Sequence, residues 1–443
     1  MLDPKIMRDE PKLVKEGLKK RGLDVSIVDE WQRLDKLLKE LRHKNDELRH
    51  KRNIISQKIN EYKKLKDEKS ARDAINEAKS IPEKIKNTDE EIRKVEDQIK
   101  VIIETIPNLP DSKVPVGKSA EDNKVVRKWG KIKEINHAKS HVEILENLGL
   151  LDMKTSAKIA GEGFYILKGQ LAVLERALIN FFLDYHNKKG RIEISPPIMA
   201  NSKSAFGTAH LPKFDNDMYK TREDLYLVPT AELPLTNLHQ DSVIKEDDLP
   251  LRYCAYTPCF RTEAGKHGTE TRGLFRLHQF DKVEMMTFAK PEDSARELDS
   301  MVYDAEKILQ MLNIPYRILL LCSGDMGFAS SITYDIETYS PFLKKYLETS
   351  SCSNCKDFQS RRMNTKFWRN KTGEREFVHT LNGSGLALPR LMIALIENNQ
   401  NEDGSVNIPS VLWKYTGFRI MGKKEEKKAR VKSGKKISKK KQI

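Results

Sequence analysis

Residues 260–284 read FRTEAGKHGTETRGLFRLHQFDKVE. Two apolar-rich segments, roughly 251–260 and 274–288, flank a polar turn. Tyr253, Tyr256 and Phe260 lie on one flank; Leu274, Phe275, Leu277, Phe280 and Val283 lie on the other. The turn carries Gly265, Gly268 and Gly273 with Lys266, His267 and Arg272. Two strands joined by a glycine-bearing loop predict a long antiparallel hairpin. A plain hairpin has no need of Arg261 and Glu263 at the loop entry, or of Arg272 and Arg276 on the return. Guanidinium forks match phosphate oxygens bidentately, so these residues point to a triphosphate site. The competing reading is an arginine-rich, solvated surface.

Outward from the hairpin, the chain divides by composition. Residues 1–26 suggest a small helical element. From 27 to 66, Leu34, Leu38, Leu41, Leu48, Ile55, Ile59 and Tyr62 recur at steps of three, four and seven, with Asn45 and Arg52 in the polar slots. Residues 71–106 repeat the pattern through Ala74, Ile81, Ile85, Ile92, Val95 and Ile99, across the polar KDEKS turn at 66–70. The two stripes predict an antiparallel coiled-coil hairpin over about 27–106. Ser80 with Glu83 three residues on reads as a cap, and Pro82 as a kink. The first helix is basic and the second acidic. Mutual salt bridging explains that difference, and so does a face that tracks a phosphate backbone.

Pro107, Pro110 and Pro115 mark a linker. The expected division is a helical arm at 1–110, a linker and domain entry at 111–135, a second domain at 136–420 and a basic tail at 421–443. In that second domain, helices are expected over 138–149, 169–189 and 291–313. A turn into a short strand is expected at 161–165. The proline-bearing segment around Pro196 and Pro197 suits a sheet edge. Strands are expected at 225–229, 315–321, 326–337, 344–352 and 375–381. A glycine turn, Asn382–Gly385, should lead into a helix at 386–399. Mainly antiparallel strands with packed helices give an α+β fold.

The formal net charge of the 443 residues is +15. The last 21 residues hold eleven Lys/Arg against Glu425 and Glu426, so the excess is first a feature of the tail. Five cysteines form no disulfide framework, and Cys352 and Cys355 lack a second pair for structural zinc. No apolar run is long enough to span a membrane. A cytoplasmic setting is the default expectation.

PPIM at 196–199, FRTE…FRLHQFDKVE at 260–284 and GSGLALPR at 383–390, in that order, resemble the three signature motifs of class II aminoacyl-tRNA synthetases. With VPTAE at 228–232, ETSSCSNCKDFQSRRMN at 348–364 and the helical arm, residues 1–420 resemble the seryl-tRNA synthetases, in the form with a coiled-coil arm. The resemblance implies an antiparallel-sheet catalytic domain behind the arm. It also implies ligation of L-serine to serine tRNA through a seryl-adenylate, with ATP consumed and AMP and pyrophosphate released. Selenocysteine tRNA is an implied second acceptor.

Residue by residue, the resemblance implies serine binding by Thr230, Ala231, Glu232, Arg261, Glu284 and Ser384. It implies ATP binding by Arg261, Thr262, Glu263, Phe280, Glu348, Thr349, Ser350, Ser351 and Arg390, with Phe280 under the adenine ring. Arg261, Arg390 and Glu348 would carry catalysis. Mg²⁺ would bind at Glu348 and Ser351, with Glu337 as a further carboxylate. The long extra arm of serine tRNA would meet Arg42, Lys44, Arg49, Lys51 and Arg52. A homodimer through about 169–200 is implied, without zinc or a membrane.

Overall fold

A computed structural model of the chain describes residues 1–263 and 273–422. Gly265, Gly268, Arg272 and the lysine-rich stretch 423–443 lie outside the described residues. Met421, assigned to the tail from sequence, is instead buried and pairs with Val406.

Two short helices, Pro4–Asp9 and Pro11–Lys20, precede the arm. The arm is α1 (Ser26–Lys64), α2 (Glu68–Ala78) and α3 (Ile81–Thr105). Its 39 residues make α1 about 58 Å long. The turn is tighter than KDEKS suggests. Lys66 takes a left-handed φ of +58°, and Asp67 caps α2 by accepting the Ser70 amide at 3.1 Å. Leu34, Leu38 and Leu41 pack with Val95, and Ile55 packs with Ala74, Ile81 and Ile85.

Of the two polar slots, only Asn45 enters the seam. It is buried and donates to Asp89 at 2.8 Å. Arg52 is exposed, since a guanidinium held between apolar helices would lose its hydration without a partner. Ser80 makes no side-chain cap, another departure from expectation. Lys79 and Ser80 both keep helical dihedrals, so the missing N–H of Pro82 marks the junction.

The second domain is built on an eight-stranded sheet: β1 (Lys124–Trp129), β2 (Ile192–Glu193), β3 (Leu251–Phe260), β4 (Gln279–Ala289), β5 (Tyr316–Leu320), β6 (Ile332–Ser340), β7 (Lys345–Asn354) and β8 (His379–Ala387). Its order is β1-β5-β6-β7-β8-β4-β3-β2. All neighbours are antiparallel except β2 and β3. Helices α4 (His141–Asn147), α5 (Gln170–Lys188), α6 (Ser294–Met311), α7 (Phe358–Met363) and α8 (Leu388–Asn398) surround it. The main core joins α5, α6 and α8 to one face through Met285, Cys352 and Leu381.

Several boundaries move from their expected places. The return strand begins only at Gln279, because the His278 amide is drawn to Gly163 O at 2.8 Å. Residues 326–331 are bends before β6, and 161–165 leads only to an isolated bridge, Leu151 with Leu167. Asn382–Gly385 is not a turn but the body of β8, bonded on both edges. The strand ends in a bulge between Ser384 and Ala387, where Leu386 takes φ +109°. Another bulge interrupts β7 between Glu348 and Ser350. Bulges re-aim side chains at sites, and these two face each other across β7 and β8.

Candidate active site

Side chains two apart on a strand share a face, so Lys282 and Glu284 project together from β4. Ser384 on β8 stands opposite Glu284, and Ser351 on β7 stands opposite Asp335 of β6. Over this face opens a cavity of about 260 Å³. Arg261, Glu263, Phe280 and Arg276 line one side, and Glu348, Thr349, Ser350 and Arg390 line the other. Lys282 and Ser384 also line it.

The hairpin places Arg261 one residue beyond β3, with its guanidinium 5.0 Å over the Phe280 ring. That ring, expected under adenine, carries the arginine in this structure. Glu263 was expected farther along the same strand. It lies outside β3 at φ +49° and receives Arg276 at 2.8 Å. Thr262 points away from the cavity and donates to Asn216 O at 2.7 Å. Arg390 enters from the first turn of α8 and donates to both the Glu348 carbonyl and its carboxylate, at 3.0 and 3.1 Å.

The residues expected to hold serine lie deeper. Lys282 reaches Glu284 at 2.5 Å and Thr230 Oγ1 at 2.7 Å, and Thr230 also donates to Glu284 at 3.0 Å. Lys282 and Glu284 are both nearly fully buried. Sequence reasoning missed Lys282. Its signal was present as the residue two before Glu284, on the same face. Its ammonium is the same chemical group that serine presents to a carboxylate.

Glu232 accepts from Gln359 at 2.7 Å and Asn382 at 3.0 Å. Burial, and secondarily the Glu284 charge, push its carboxyl up to about 7. It borders a second cavity of about 170 Å³ with Asn382, Thr208 and His210. Ala231 is buried in an apolar cluster. Gln359 and Asn382 are further polar residues that the sequence did not single out.

The oxygen set at β6 and β7 suits a hard cation that keeps several waters. Glu348 offers a half-exposed carboxylate. Beneath it, Asp335 hydrogen-bonds Ser351 and leaves Oδ1 buried without a partner. Burial first, and the Glu348 charge second, raise the Asp335 carboxyl well above the usual range. Ser351 is absent from the cavity wall, while Ser350 lines it and donates to Ser384 O at 2.6 Å. Glu337 is engaged by Arg317 at 2.5 Å. Cys352 and Cys355 are free and buried. Among the described residues, no three His, Cys, Asp or Glu side chains converge as a metal set.

Comparison with known proteins gives this geometry its context. Residues 1–110 match the family described as "Seryl-tRNA synthetase N-terminal domain", and 213–399 match "tRNA synthetase class II core domain (G, H, P, S and T)". The chain is 54% identical over 427 residues to a serine–tRNA ligase of Clostridium acetobutylicum, covering 95% of this chain and all of that one. The chain belongs to the seryl-tRNA synthetase family. A serine–tRNA ligase of Caldicellulosiruptor saccharolyticus is 49% identical over the same shares of both chains. The crystal structure of the seryl-tRNA synthetase of Pyrococcus horikoshii complexed with ATP aligns with TM-score 0.89 and 38% identity, over 95% of this chain and 99% of that one.

The enzyme is a serine–tRNA ligase that uses ATP as substrate, with Mg²⁺, and charges tRNA with serine. That activity needs no protein nucleophile. Positioning and charge stabilisation can serve such chemistry, and Arg261, Arg390 and Lys282 are three cationic side chains that line the 260 Å³ cavity.

Proposed function

We propose that the 260 Å³ cavity is where the serine carboxylate attacks the α-phosphate of ATP. The observation that carries this reading is that Arg261, just beyond β3, Lys282 on β4 and Arg390, in the first turn of α8, line one cavity together. Arg261 neutralises the carboxylate and the α-phosphate as they approach. Arg390 holds the outer phosphates, leaving Glu348 for Mg²⁺. Bound there, the ion would supply charge neutralisation on the phosphates, with Glu348 as its protein oxygen in the cavity wall. Phe280 and Glu263 take the adenine, displacing Arg261 from the ring. Glu284, Thr230, Glu232 and Ser384 recognise the serine ammonium and hydroxyl. A hydroxyl-pairing site strongly rejects analogues that lack the group.

Residues 1–110 serve as the arm that grips serine tRNA by shape and phosphate contacts, and 136–420 carry the chemistry. Because such grip reads the long extra arm rather than bases, selenocysteine tRNA is an acceptor where it exists. Two copies pair through about 169–200. Supporting this, β2 ends the sheet, and Ile192 and Met199 are 56% and 46% exposed. Five free cysteines agree with a reducing, cytoplasmic setting, and no helix among the described residues is long and apolar enough to cross a membrane.

The test is ATP–pyrophosphate exchange without tRNA. Exchange is expected with serine, and with neither threonine nor alanine at equal concentration. Exchange that ignores which amino acid is present would overturn the assignment of the serine residues.

A further inference from the structure

Behind the cavity wall, buried groups from four segments form one hydrogen-bonded chain. His141 opens α4, and its amide and Nδ1 meet Glu397 Oε1 at 3.2 and 3.1 Å. Ser340 Oγ donates to the other oxygen of Glu397. Across the imidazole, the Leu274 amide donates to Nε2 at 3.2 Å. Nε2 is thus an acceptor, which puts the ring proton on Nδ1, facing Glu397. His141 and Glu397 are 1% and 0% exposed. Phe275 sets its ring edgewise to the imidazole, with centroids 5.2 Å apart.

The neighbouring glycine fits no side chain. At φ +76°, a Cβ on Gly273 would come 2.4 Å from Val142 Cγ2 and 2.6 Å from His141 Nε2. Leu274, Phe275, Arg276 and Leu277 then line the cavity. Glu397 belongs to α8, the helix that presents Arg390 to the opposite wall. One buried histidine therefore ties the two walls together.

We propose that His141 is a positioning residue for the nucleotide: by accepting the Leu274 amide it seats the 274–277 wall against the helix that carries Arg390. The proposal rests on reading the cavity as the ATP site. Alanine at 141 leaves the buried Leu274 N–H unpaired and removes one of the three groups that bind the Glu397 carboxylate, whereas glutamine returns an acceptor near the place of Nε2.

The experiment is serine-dependent exchange by the full chain, with separate KM values for ATP and serine, and a melting temperature for each variant. In His141→Ala, KM for ATP rises about tenfold, equivalent to about 1.4 kcal/mol, while KM for serine stays within about twofold. His141→Gln recovers most of the ATP effect. Gly273→Ala keeps the identity of every side chain of the buried chain but drives a Cβ onto His141 Nε2, where the Leu274 amide binds, and moves KM for ATP in the same direction. It decides the matter where His141→Ala fails to fold. A lowered melting temperature with both KM values unmoved, or moved together, overturns the proposal and leaves His141 as core filling. Arg390→Ala separates the two readings. If its KM for ATP is unmoved, the ATP assignment of the cavity falls. If its KM is raised while His141→Ala and Gly273→Ala are unmoved, only the role of His141 falls.

Discussion

In the arm, Arg42 meets Glu96 at 2.7 Å, Arg49 meets Asp89 at 3.0 Å and Lys51 meets Glu77 at 2.9 Å, every side chain a third or more exposed. In the cavity, Lys282 meets Glu284 at 2.5 Å with both side chains under a tenth exposed. The two regions share an ion-pair chemistry and differ in solvent. A surface pair contributes ~0–1 kcal/mol because water and salt screen it. Removing one partner of a buried pair costs about 3–5 kcal/mol, since the other charge is stranded. The arm can therefore exchange its carboxylates for phosphates cheaply. The cavity cannot release Glu284 unless another cation takes the place of Lys282.

The largest effect is expected where charge develops in the reaction. Arg261→Ala should slow serine-dependent exchange by about 10²–10³-fold, in line with loss of one preorganised stabilising group. A loss under tenfold would place the reacting phosphate elsewhere. Lys282→Ala comes next. It strands Glu284, and unfolding in denaturant should show a loss of about 3 kcal/mol. Unchanged stability would mean that Glu284 finds water or another cation, and the contrast with the arm would collapse.

The arm sharpens the comparison from the other side. Among the described residues, Lys44 and Arg52 make no ion pair, while Arg42, Arg49 and Lys51 do. Lys44→Ala and Arg52→Ala should each lower the salt slope of tRNA binding by about one, with tRNA-independent exchange unchanged. Arg42→Ala should change it less, because a carboxylate already neutralises that charge. Equal slopes for paired and unpaired residues would break this distinction.

The last effect is spread over a pH window rather than read at one condition. Between the ordinary glutamate value of 4.5 and about 7, folded Glu232 keeps a proton that the unfolded chain has lost. Folding takes up that proton, so stability falls as pH rises across this window and levels off above it. The slope is at most about 1.4 kcal/mol per pH unit for one proton. In Glu232→Gln this contribution disappears. Denaturant midpoints at both ends of the window, compared between the two proteins, measure it.

How much of this was legible follows from the same contrast. The arm repeats one spacing for many residues, so its helices could be read from leucines and isoleucines alone. Which basic residues were neutralised could not, because Glu96, Asp89 and Glu77 arrive from the antiparallel partner. Arg261, Glu348 and Arg390 were legible as motif residues, and all three line the cavity. Their present partners were not. Lys282 looked like an ordinary strand lysine until β4 turned it toward Glu284. Asn382–Gly385 looked like a turn because glycine usually marks one. Here Gly383 and Gly385 lie in the strand, and they are glycines because Met301, Cys352 and His186 leave no room for a Cβ. Leu274 and His141 are far apart in sequence, and no local pattern joins them.

At its root the arm is held by Trp31, buried among Ile103, Phe328 and Phe358, and by Arg8 on Asp35 at 2.7 Å. Beyond that root, among the described residues, the long helices pack on each other. A rod of about 58 Å pivoting at one end moves its tip by about 5 Å for a tilt of five degrees. Leverage of this kind makes the hinge, rather than the tip, the place where aim is decided. A loosened Trp31 would leave every contact residue of the arm intact and still let the rod point past its target.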